Sequence, residues 1–171
     1  MAELMARMAE IAVSRHEADV LVALGLGSCI GVALLDRASL VSGLAHVVLP
    51  ESREGSVAVP GKFADTAVPE LLRQLIALGA SKSRLTAVMV GGAQMFAAGA
   101  SGTLDIGRRN EQAVRSALAV ASIPIEVAVT GGSSGRTMRV HLSAGIVTCK
   151  VAGSTEETIA TRGQTALRRA A

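Results

Sequence analysis

The sequence predicts an α/β fold of the α+β type, with mixed, largely antiparallel β-sheets layered with two main helices in a single compact domain. Three observations predict it. Apolar, β-branched-rich runs crowd the first fifty residues, at 8–14, 19–24, 30–35 and 40–49. Helical periodicities follow at 65–78 and 107–121, and strand-like runs close the pattern at 125–129, 137–142 and 146–151. Strands come first and helices mix with strands later, which lacks the strict alternation that builds a doubly wound parallel sheet.

In order along the chain, 8–14 and 19–24 read as short strands around a polar turn at Arg15-His16-Glu17. Gly25-Leu26-Gly27-Ser28 is then a flexible approach to Cys29. The runs 30–35 and 40–49 flank Asp36-Arg37-Ala38-Ser39 and read as a β-hairpin with a four-residue loop. Residues 51–61, with Gly55, Pro60 and Gly61, read as a loop. Asp65 or Thr66 is placed to cap a helix with Pro69 in its first turn, an apolar stripe of Val68, Leu71, Leu72, Leu75, Ile76 and Leu78, and Gly79 at its end. Leu85–Val90 is a strand entering Gly91-Gly92, and the second helix presents Ala113, Val114, Ala117, Leu118 and Ala121 on one face. The domain spans 1–151. Residues 152–171 lose apolar periodicity and carry Glu156, Glu157, Arg162, Arg168 and Arg169, which predicts a polar tail, either a frayed helix or a mobile segment.

Bulk properties narrow the function. With 171 residues, half of them apolar, and a net charge of only +3, the chain has the driving force to form a core. No Trp or Tyr is present, so that core is made of small aliphatic side chains. The pI of about 9.4 comes without a basic stripe interleaved with aromatics, which argues against nucleic acid as a partner. The longest uncharged run, 20–35, is interrupted by glycines and is shorter than the roughly 20 residues a bilayer-spanning helix needs. The start of the chain lacks a cationic-then-apolar export pattern, and two widely separated cysteines form no CxxC pair. Both features fit a cytoplasmic protein with reduced thiols. Gly91-Gly92 and Gly131-Gly132 lack the strand–loop–helix context of a phosphate-binding loop and read as tight turns.

The chemistry centres on the hairpin. A symmetric loop at 36–39 pairs Leu35 with Leu40 and, by the same register, Cys29 with His46, whose Cβ atoms would then lie about 4.5–5.5 Å apart on one face. An imidazole beside a thiol takes or stabilises its proton and makes it a competent nucleophile. Gly25, Gly27 and Gly31 leave room for a carboxamide, and backbone amides near Ser28 and Cys29 are placed to hold an oxyanion. Taken alone, a cysteine or histidine in an apolar strand is more often ordinary core. Cys149, with no histidine opposite, reads as packing, and His16 and His141 have no ligand spacing.

Leu24-Gly25-Leu26-Gly27-Ser28-Cys29, followed seventeen residues after the cysteine by Ala45-His46-Val47-Val48-Leu49-Pro50, resembles the CheD family of chemoreceptor glutamine deamidases. The resemblance continues through Gly61-Lys62-Phe63-Ala64-Asp65-Thr66-Ala67, Gly91-Gly92-Ala93 with Met95-Phe96, Ile106-Gly107 with Arg109-Asn110, and Gly131-Gly132 with Gly135-Arg136. It implies hydrolysis of receptor glutamine side chains to glutamate, with Cys29 as nucleophile and His46 as base, and without a metal or organic cofactor. The implied partners are methyl-accepting chemotaxis receptors, as protein substrates, and a CheC-type phosphatase. The family's threonine, six residues before the cysteine, is replaced by Ala23. A backbone carbonyl, a water or a hydroxyl such as Ser42 would then orient the imidazole, with Ser28 and Gly27 as further candidates for orienting or oxyanion roles. Two other readings are a CheD-like protein with little catalysis that regulates the phosphatase, and a generic cysteine hydrolase or transamidase.

Overall fold

A computed structural model describes residues 1–53, 58–95 and 105–162; Gly55, Phe96 and the tail arginines Arg168 and Arg169 lie outside the described residues. The described chain forms two five-stranded sheets and two helices. One sheet has the order β1(Glu3–Met5)-β3(Val20–Leu26)-β8(Arg136–His141)-β9(Ile146–Val151)-β10(Glu156–Ala160). The other has the order β2(Ile11–Ser14)-β5(Val41–Val47)-β4(Ile30–Asp36)-β6(Thr86–Gly91)-β7(Ile125–Thr130). Among the described strands only β1 with β3 and β6 with β7 pair in parallel, so the sheets are mixed and largely antiparallel, as the sequence predicts.

Alternation along β4 and β5 sorts the core into two layers. Ile30, Val32, Leu34, Val41, Ala45 and Val47 face the helices α1(Ala64–Ala77) and α2(Ile106–Val120), meeting Val68, Leu71, Leu75, Val114 and Leu118. Cys29, Ala33, Leu35 and Leu44 face the first sheet and pack with Leu21, Ala23, Leu26, Met138 and Val140. The molecule is therefore sheet, sheet, helices, and one hairpin carries both cores. Burying the aliphatic side chains on both faces supplies the main favourable contribution, about 25 cal/mol per Å² of apolar surface removed from water.

Several local expectations are corrected. The hairpin loop is Arg37–Leu40, not 36–39, so Leu35 pairs with Ser42 and Gly31 with His46. Asp36 stays in the strand because its carboxylate collects the Ala38 and Ser39 amides, and Leu40 closes the loop at φ 60°. The N-cap of α1 is Phe63, with no side-chain cap. Asp65 instead accepts from the Ser52 amide and hydroxyl, while Thr66 donates to the Pro60 carbonyl. Pro69 consequently falls in the second turn. The expected strand 8–14 shortens to β2, and β1, which the sequence does not predict, precedes it across a turn with Ala9 at φ 66°. Part of the expected tail, Glu156–Ala160, is an edge strand on β9, held in part by Arg139 donating to Glu156.

Candidate active site

The shift of the hairpin register by two residues preserves parity, so Cys29 and His46 project from the same face. Cys29 lies in the bend just before β4 and packs in the inter-sheet core, 8% exposed. His46 sits opposite Gly31, where a side chain would run into Leu26 and Met138 of the other sheet. By extension of this register the two residues lie one diagonal step apart rather than directly opposed, about 7–8 Å, a gap that the reach of the imidazole has to span. Among the described residues no hydrogen bond joins them, and His46 Nε2, fully buried, has no partner.

His46 Nδ1 lies 3.1 Å from the Ala6 carbonyl oxygen. A carbonyl only accepts, so the hydrogen is on Nδ1, and in the neutral ring Nε2 keeps a lone pair free for a proton. Ala6 follows β1, which pairs with β3, and Ala6 donates its own amide to Val22. The imidazole is thus oriented by the first strand's exit. Ala23 is fully buried on β3 opposite Met138 and offers no hydroxyl. Ser42 lies four residues along β5 from His46, roughly 13 Å of strand, too far to orient it.

Electrostatics give the resting state. Burial pushes the Cys29 thiol above its ordinary value, offset in part by its own backbone amide. Burial likewise pulls His46 down, against the smaller opposing effects of the Ala6 carbonyl and Glu10. Both shifts favour a neutral thiol beside a neutral imidazole over the ion pair of a pre-activated thiolate.

The loop before Cys29 is held by its carbonyls. Gly27 O accepts from Ala93 N at 2.8 Å, Ser28 O from Asn110 Nδ2 at 2.9 Å, and Cys29 O from Gly92 N at 2.9 Å. In a planar trans peptide the N–H points opposite to the C=O, so the Ser28 and Cys29 amides point away from these partners. The Gly27 amide is committed to Gly25 O. Gly91, at φ 121°, is required here, because a Cβ would overlap the Cys29 carbonyl. A surface cavity of about 490 Å³ reaches His46 between Met5, Arg7, Met8, Glu10 and Leu24. A groove of similar size between the helices, lined by Pro50, Asp65, Pro69 and Arg109 among others, includes neither Cys29 nor His46. Among the described residues no cluster of three or more His, Cys, Asp or Glu side chains is arranged to hold a metal ion.

Two participants had no signal of their own in the sequence. The Ala6 carbonyl belongs to the backbone, and Asn110 is one polar residue in a polar run, between Arg108-Arg109 and Glu111-Gln112, with nothing to mark it as buried. Only its place in the family-like stretch Arg109-Asn110 set it apart.

Comparison with known proteins adds an independent line. A family model described as CheD chemotactic sensory transduction matches residues 48–151. A protein of Symbiobacterium thermophilum named probable chemoreceptor glutamine deamidase CheD is 43% identical over 87% of this chain and 92% of its own length. Proteins bearing the same name in Methanococcus vannielii and Clostridium botulinum are 45% and 42% identical, over 73% and 88% of this chain and 80% and 94% of theirs.

Proposed function

The chain belongs to the CheD family, and on that premise we propose that it is a chemoreceptor glutamine deamidase with Cys29 as nucleophile and His46 as general base and acid. The observation that carries the reading is the His46 tautomer: Nδ1–H donates to the Ala6 carbonyl, and a bare Nε2 lies on the face that also bears Cys29. The proton leaves the thiol only as the sulfur attacks, because the resting pair is neutral.

His46 Nε2 takes the Cys29 proton while the sulfur lone pair forms a bond to the amide carbon. The carbonyl π pair moves onto oxygen, where the Ser28 and Cys29 amides receive the charge. As the carbonyl reforms, the C–N bond breaks and the imidazolium returns its proton to the leaving nitrogen, releasing ammonia and a thioester. Water, deprotonated by the same ring, adds to the thioester and expels the thiolate, leaving glutamate and regenerating Cys29 and His46.

The substrate glutamine would enter through the cavity between Arg7, Met8, Glu10 and Leu24. No described helix is long and apolar enough to cross a membrane. A cytoplasmic enzyme acting on the cytoplasmic part of the receptor, with a CheC-type phosphatase as a further partner, completes the proposal. The test is incubation with receptor cytoplasmic fragments, reading ammonia release and the mass change of an amide becoming a carboxylate. Cys29→Ala should abolish both. A Cys29→Ala protein as active as the wild type would end the reading.

A further inference from the structure

Asn110 is completely buried on α2, yet its side chain is not satisfied. Its Nδ2 donates to Ser28 O and to Val48 O, each at 2.9 Å, while Oδ1 is buried without a partner. Both amide hydrogens are therefore used and the acceptor is sacrificed, which marks a side chain held for its donors. The two carbonyls it joins lie on either side of the site. Ser28 precedes the nucleophile, and Val48 lies two residues after His46 on the strand's exit.

We infer that Asn110 is a positioning residue that fixes the peptide plane of Ser28–Cys29, so that the Cys29 amide is aimed at the oxyanion formed during acyl transfer to Cys29. The inference rests on the thioester mechanism above and deepens it. Holding Ser28 O toward α2 turns the N–H of the same peptide the opposite way, toward the sulfur's side. The neighbouring plane, Gly27–Ser28, is turned likewise by Ala93. Helix and loop meet this closely because residue 107 has no side chain: a Cβ there would sit 2.6 Å from the Ala93 oxygen. Asn110 follows Gly107 by three residues, on the same face of the helix. The geometry gives donors fixed before the reaction, which is what makes a backbone amide effective against developing charge.

Two small reagents separate this role from a general structural one. Acylation of Cys29 by p-nitrophenyl acetate passes through a tetrahedral oxyanion, whereas alkylation by iodoacetamide displaces iodide at a saturated carbon and forms none. Both are followed at Cys29 by peptide mass spectrometry on the full chain. Asn110→Ala should slow acylation by about 30- to 100-fold, in the range lost with an oxyanion donor, while leaving alkylation within about threefold. Val114→Ala, a buried truncation on the same helix that touches no loop carbonyl, should lower Tm and change neither rate. Equal slowing of both reactions, slowing of neither, or the absence of acylation in the wild type would overturn the inference. Ammonia release from receptor fragments by the wild type is read separately. Its absence would refute the receptor-deamidase assignment while leaving the acylation-to-alkylation contrast to decide the role of Asn110.

Discussion

The two ends of the β4–β5 hairpin are built on opposite principles. At the turn end, Asp36 is fully buried and accepts from Arg84 at 2.7 and 2.9 Å, from Ser81 N at 2.9 Å, and from the amides of Ala38 and Ser39. Beside it Arg37 donates to Glu126 at 2.7 and 3.0 Å and to Gly145 O, tying the loop to both sheets. At the other end, His46 Nε2 and Asn110 Oδ1 are buried without partners. Buried polar groups are nearly always paired, and leaving one bare costs about 1–3 kcal/mol. One end of the hairpin is thus organised to hold the strands together, and the other keeps two buried acceptors bare at some expense of stability, of which the proposed mechanism uses the His46 lone pair.

Substitutions at the two ends should separate the two properties. His46→Leu should lower deamidation by about 10³-fold, within the range of a lost general base, while denaturant unfolding shows stability unchanged or raised. Gly91→Ala forces a side chain onto the Cys29 carbonyl at a positive φ. It should cost about 3 kcal/mol in urea unfolding and take activity with it, because the same carbonyl anchors the nucleophile.

Asp36→Ala removes the turn-end clamp. It should cost about 2–3 kcal/mol and leave Cys29 alkylation unchanged, the reverse of the His46 result. The Asp36 carboxyl also carries a pH signature. Burial is the largest single influence and pushes it up, but the bonds from Arg84, Ser81 and Ser39 together outweigh burial and hold it well below the usual carboxylate range. A depressed folded value means the contribution is complete above the unfolded pKa of about 3.9 and is lost as pH falls below it. The stability gap between wild type and Asp36→Ala should therefore narrow on acidification below about pH 4, read by urea unfolding across that range.

The smallest effect should come from Ala23→Thr, which restores the family's hydroxyl. Because the Ala6 carbonyl already holds Nδ1, kcat should stay within about threefold, well short of the 10²–10⁴ that a general base supplies. A larger rise would show that the imidazole is poorly oriented without that hydroxyl.

The two helices and the β4–β5 hairpin are legible in apolar patterning, whereas register, caps and edge strands depend on single residues or on distant partners. The apolar, β-branched-rich runs 30–35 and 40–49 on either side of a short polar stretch identify the hairpin. Its register was missed because Asp36 resembles a turn residue and Leu40 a strand residue, whereas the carboxylate's buried bonds and the positive φ of Leu40 exchange those roles. The strand Glu156–Ala160 has an exposed run of Glu156, Glu157 and Thr158, so no apolar alternation announces it. Glu3–Met5 is three residues long and recruited by a distant parallel partner, a long-range effect with no local trace. Cys29 and His46 were legible as chemical types at a suggestive spacing. The neutral resting pair and the Ala6 contact depend on burial and backbone placement, which residue identity does not carry.

The pinned carbonyls of Gly27, Ser28 and Cys29 leave the main chain around the sulfur little freedom. What can still turn is the Cα–Cβ torsion of the cysteine, and at 8% exposure even that is confined by the packing between the sheets. On the proposed mechanism the sulfur is then delivered by one side-chain torsion rather than by any movement of its backbone.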